Sequence, residues 1–183
     1  MSRNIFMITI LLIIGLIPCH SCFGDRAPIK NPGGLCQTLV EQLEQRYGYS
    51  VQIKDCVTKR MMRNAVRISL PSKRQRYVID IRKFILKRSA NNAMELITYG
   101  PITTADTYIT TTNEIGQKST YKVKNQNCGA PDLSFTRSKC LVTIFEVCDS
   151  NPSYYADTKY FTYTMEIMKD IGAIIDDYLK RQK

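Results

Sequence analysis

Between Lys54 and Arg88 the sequence sets 12 lysines and arginines against two acids, Asp55 and Asp80, a local excess of ten positive charges. The densest stretch is "LPSKRQRYVIDIRKFILKRS", residues 70 to 89. Such a cluster does not break or make covalent bonds by itself. It raises the local potential and draws in anionic surfaces, with an affinity that falls as salt rises. The candidate contact residues are Arg67, Lys73, Arg74, Arg76, Arg82, Lys83, Lys87 and Arg88. The competing structural role is protection of a sheet edge, because charged side chains stop an edge strand from pairing with another chain.

Catalytic chemistry finds fewer materials. The single histidine is His20, close to the amino terminus. Ser-His-Asp and Cys-His nucleophiles, imidazole-based ribonuclease chemistry and Cys/His zinc sites all need an imidazole as base or ligand. Beyond residue 24 there is no Cys-x-x-Cys, and the chain has no Gly-rich phosphate loop and no EF-hand loop. No cofactor and no metal site are therefore expected. Paired carboxylates remain, as in histidine-free glycosidases, with Glu41, Glu44, Glu95, Glu114, Glu146, Asp176 and Asp177 as the acids to consider. Nothing in their spacing singles out a pair, and the expectation is a non-enzymatic protein.

The amino terminus bears on where such a protein works. Arg3 precedes an unbroken apolar run from Ile5 to Ile17, followed by Pro18 and small residues. That order reads as a secretory signal peptide over residues 1–24, cut after Gly24 or after Ser21. The apolar run is shorter than the ~20 residues a spanning helix needs. The expected mature chain, 25–183, has the length of one domain, and is expected to be extracellular. It has no Asn-x-Ser/Thr acceptor, because Asn151 is followed by Pro152.

In an exported chain Cys36, Cys56, Cys128, Cys140 and Cys148 read as a disulfide framework. Cys36 with Cys56 and Cys128 with Cys140 are the local choices. The odd number leaves either a free thiol or a disulfide-linked dimer, unless Cys22 is retained as a sixth.

The elements that must carry these residues follow from periodicity. Leu35, Leu39, Leu43 and Tyr47 recur at helical spacing, with Gly48 as a stop. Tyr49, Val51 and Ile53 then alternate with polar residues as in a strand closed by Cys56. "NAVRISL" and "RYVIDI" around "PSKRQ" read as a hairpin with a charged loop. On its second strand Arg76, Asp80 and Arg82 point one way and Tyr77, Ile79 and Ile81 the other. "DIRKFILKRS" also fits a helical face, so this strand is expected to end early. "AMELITY", "TYITTT", "STYKVK" and "CLVTIFEVC" read as further strands. From Thr158 onward Phe161, Met165, Met168, Ile171 and Ile175 recur at three and four, marking a second amphipathic helix docked on the sheet. The expected fold is α+β: an N-terminal helix, an antiparallel sheet of about six or seven strands and a C-terminal helix, held by disulfides.

A helix preceded by Gly33 and Gly34 and followed by antiparallel strands resembles the cystatin-like layout. The Gln-x-Val-x-Gly hairpin tip of that family is missing and the chain has no tryptophan, so the family's inhibitory function is not carried over. What the residues imply is a secreted binding protein or effector, of the kind found in venom, saliva or at a host surface. Its anionic partner would be a sulfated polysaccharide, an anionic lipid or an acidic protein. Nucleic acid is not expected, since no recognition helix or aromatic ladder accompanies the charges. The alternatives are a cationic membrane-active toxin, using the apolar and basic "DIRKFILKRS", and a carrier of a small apolar ligand with Met165 and Met168 along its pocket.

Overall fold

The computed structural model describes residues 26–27, 29, 31–48, 50–58, 64–70, 75–99, 107–112, 114–124, 131–147 and 158–182. The expected leader, Lys73, Arg74, Cys128 and Cys148 lie outside the described residues. The fold is α+β, as the periodicities imply.

Helix α1, Pro32–Tyr47, is written by its ends as much as by its stripe. Asn31 caps it, the side-chain oxygen accepting from Gly34 N at 3.1 Å, and Pro32 occupies the first helical position where no amide is needed. Gly48, at φ 66°, closes it by donating to the Glu44 carbonyl. Gly33 and Gly34 thus belong to the first turn of the helix rather than preceding it. Leu35, Cys36, Leu39 and Leu43 form its buried stripe.

The strands are β1 (Arg26–Ala27), β2 (Gln52–Thr58), β3 (Asn64–Leu70), β4 (Gln75–Phe84), β5 (Thr107–Thr112), β6 (Lys118–Lys124), β7 (Pro131–Arg137) and β8 (Cys140–Glu146). They make one antiparallel sheet in the order β2-β3-β4-β8-β7-β6-β5, with the short β1 paired to the end of β4. Helix α2, Lys87–Tyr99, and helix α3, Thr158–Arg181, complete the described elements.

Alternation along the strands separates two cores. Val66, Ile68 and Leu70 of β3, Tyr77, Ile79 and Ile81 of β4, Val142 and Ile144 of β8, and Leu133 and Phe135 of β7 face α1 and α3. There they meet Leu35, Leu39, Leu43, Ile167, Met168, Ile171 and Ile175. On the opposite face Phe84 and Leu141 pack against Ala90 and Met94 of α2. The sheet is therefore the middle of three layers, covered partly by α2 and more fully by α1 and α3.

Two elements differ from the sequence reading. "AMELITY" is not a strand but the end of α2: Ala90, Met94 and Thr98 recur every four residues and are buried, whereas Leu96 and Tyr99 face outward. A short window over 93–99 hides this period, which begins at Ala90. The strand count is restored by β7, "PDLSFTR", whose leading proline and polar residues conceal the alternation of Leu133 and Phe135. In addition β4 does not end early; it runs to Phe84, and α2 begins only after Ile85 and Leu86.

Among the described residues the disulfide Cys36–Cys56 staples α1 to β2 as expected. Cys140 is a correction: it is a buried free thiol rather than half of a bridge to Cys128. Among the described residues no helix is long and apolar enough to cross a membrane.

Candidate anion-binding surface

The antiparallel register fixes where each cation of the basic segment stands. Arg67 lies beside Val78, and Arg76 beside Ser69, so both arginines share the outer face of the β3–β4 pair and both are exposed. Arg82 is on the same face of β4, six residues from Arg76 and so ~20 Å along the strand. Its Nε donates to Asp80 Oδ2 at 2.8 Å, and much of its charge is answered inside the protein. Arg82 therefore contributes less to an external field than its position suggests.

Lys83 points to the other face. It pairs in register with Cys140, which in turn pairs with Arg137, so these three line up across β4, β8 and β7 under the end of α3. Beyond Phe84 the chain turns through Ile85 and Leu86, exposed at 51% and 62%, into the first turn of α2. That turn carries Lys87 and Arg88, both exposed, and contains no acid. The expected single patch is thus drawn out. Arg67 and Arg76 occupy one end of β4, and Lys87 and Arg88 stand past the other, ~25 Å away at about 3.3 Å per residue.

Sequence reasoning missed two further cations on this face. Across the outer face, neighbours in register run Arg67, Val78, Phe145, Asp132 and Lys122. Lys122 is largely buried at 9% exposure, while Lys118 on the same strand lies 5.8 Å from the Tyr99 ring centroid of α2. The signal was present in "KSTYKVK", where Lys118 and Lys122 have the same strand parity.

The acids weighed for catalysis hold structural positions. Glu41 accepts from Gln37, Glu44 accepts from the Val51 amide, and Glu114 pairs with Lys169 at 3.0 Å. Asp176 takes two bonds from Arg137 and one from Lys180, and Asp177 also pairs with Lys180. Burial opposes the Asp176 charge, yet Arg137 and Lys180 outweigh it and hold the carboxyl below its ordinary range. Glu95 lies exposed on α2, and Glu146 is buried on β8 beside Tyr77. Among the described residues no group of three histidines, cysteines or acids is placed to hold a metal ion.

The methionines considered for a ligand pocket belong to the core. Met168 is fully buried and Met165 packs against the same cluster. No protein-family model matches the chain, no curated protein matches its sequence and no solved structure matches its fold.

Proposed function

We propose that this is a secreted, non-enzymatic binding protein that holds an extended polyanion, of the sulfated polysaccharide type, along the outer side of β3, β4 and the start of α2. The observation that carries the reading is the placement of Lys87 and Arg88, exposed in the first turn of α2. A helix amino terminus carries about half a positive charge, so cations there cost stability and anions are favoured. Two cations at the positive end of the helix dipole serve an anion better than they serve the helix. Arg67 and Arg76 supply a second contact at the far end of the same strand. A point anion cannot reach both ends, whereas a chain of anionic groups can.

The reading needs no catalytic residue, in keeping with a chain whose only histidine is His20. Export is supported by the leader-like amino terminus and by a disulfide of the kind oxidising compartments favour.

The test is elution from an immobilised sulfated polysaccharide, comparing the oxidised protein with an Arg67→Glu/Arg76→Glu/Lys87→Glu/Arg88→Glu variant whose circular dichroism is unchanged. Late elution of the parent and early elution of the variant are expected. Equal elution would contradict the proposal and return these residues to the role of a solvated face.

A second reading, adsorption to an anionic lipid surface, is favoured by Ile85 and Leu86, which stand exposed next to Lys87 and Arg88. Apolar and cationic side chains together suit a headgroup boundary. Sedimentation with phosphatidylserine vesicles separates the two: lipid binding requires Ile85→Ser/Leu86→Ser to release the protein, while the polysaccharide reading leaves it unbound throughout. Release of an entrapped dye would add the membrane-active toxin to the lipid reading.

A further inference from the structure

On the face of the sheet opposite the cationic strip, a cavity of about 280 Å³ opens between the ends of β4, β7 and β8 and the last turn of α3. Among the described residues that line it three are basic, Lys83, Arg137 and Lys139, and none is acidic. Ile29 and Leu179 give it an apolar wall. We infer that this cavity is a binding site for a small amphiphilic organic anion, with a carboxylate or sulfate head among the basic residues and a short apolar body against Ile29 and Leu179.

The geometry is built by the chain rather than left by it. The two-residue turn between β7 and β8 puts Ser138 at φ 55°, a left-handed conformation that few residues other than glycine adopt. This turn brings Arg137 and Cys140 into register as neighbours and leaves Lys139 at the rim. The Lys139 carbonyl accepts from the Phe84 amide at 2.8 Å, so the end of β4, and Lys83 with it, is fastened to the turn. Arg137 is held in place by its two bonds to Asp176. Asp176 does not cancel the positive field, since it is shared with Lys180 at 2.9 Å. Among the described residues Lys83, Arg137, Lys139 and Lys180 stand around the cavity, with Asp176 and Asp177 behind it.

The remaining polar wall stays neutral. Burial pushes the Cys140 thiol up to about 11 despite the nearby Lys83 charge, so at neutral pH no thiolate competes for the basic groups. Size bounds the ligand: the volume lies just below the ~300–1,000 Å³ usual for small-molecule sites. A body of a few carbons fits, and a full lipid or a folded peptide does not. The cavity and the outer strip lie on opposite faces, so the two sites stand or fall separately.

Octanoate is the probe, titrated calorimetrically into the oxidised full chain, with octanol as the uncharged body and inorganic sulfate as the bare charge. One octanoate per chain is expected, with octanol and sulfate each at least tenfold weaker. Lys83→Met/Lys139→Met should weaken octanoate at least tenfold. Should that variant fail to fold, ¹⁵N amide shifts of the parent decide: octanoate should move Ser138, Lys139, Cys140 and Gln182 before any other amides. No octanoate binding, binding that the double variant leaves unchanged, or shifts centred elsewhere would each overturn the inference.

Discussion

Arg137 grips Asp176 across 39 residues of sequence, donating from Nε and from a terminal guanidinium nitrogen to the two carboxylate oxygens and so fixing β7 to α3. Asp176 is 5% exposed, and its charge is tolerable there only because Arg137 and Lys180 answer it. Replacing Arg137 by methionine leaves Asp176 with only the half-exposed Lys180 and should cost about 3 kcal/mol in denaturant unfolding, the loss usual when one partner of a buried pair is removed.

The same pair sets an acid limit. A carboxyl whose folded pKa lies below its unfolded value of about 3.9 lends stability above that value and loses it as pH falls. Unfolding free energy should therefore drop as pH is lowered from about 4, and Asp176→Asn should flatten that part of the profile. An unchanged slope in the variant would remove Asp176 from the acid response.

Cys36 and Cys56 close a loop of 20 residues between α1 and β2. Tethering a loop of that length should contribute about 3 kcal/mol. The Cys36→Ala/Cys56→Ala variant is expected to unfold at correspondingly lower urea, and mild reduction of the parent should reproduce the shift.

Gly116 sits at φ 73° in the turn before β6, where an added Cβ would lie 2.5 Å from the Thr136 carbonyl oxygen. Gly116→Ala should cost about 2 kcal/mol, as expected of a forced left-handed conformation. Gly33 offers the contrast: nothing lies within 4 Å of its added Cβ. Alanine there, inside α1, should be neutral or stabilising by up to about 1 kcal/mol.

Cys140 should resist alkylation in the folded chain. With its pKa pushed up to about 11, its thiolate fraction at pH 7.5 is at least about 100-fold below that of an ordinary exposed cysteine. Peptide mass spectrometry after maleimide treatment checks this, and rapid native labelling of Cys140 would contradict it.

Much of the fold was legible because its signals are local and periodic. Leu35, Leu39 and Leu43 announce α1, the apolar run of "CLVTIFEVC" announces β8, and Tyr77, Ile79 and Ile81 separate the faces of β4. Residues 93–99 were misread because the stripe of α2 rests on Ala90 and Thr98, small or polar side chains whose burial depends on Phe84 and Leu141 of another element. Similarly, no local pattern reveals that Arg82 is answered by Asp80, or that Lys83 joins Arg137 and Lys139. The sheet order, which brings β4 beside β8, decides those groupings.

The polyanion account turns most directly on ligand length. Affinity of the oxidised protein should be measured by calorimetry, at one salt concentration, for sulfated oligosaccharides of increasing length. The two cationic ends of β4 lie ~25 Å apart, so affinity should rise sharply once a chain spans that distance, and Arg67→Glu/Arg76→Glu should abolish the rise while sparing the weak binding of short chains. Affinity independent of length, or a rise that survives loss of both arginines, would contradict the account.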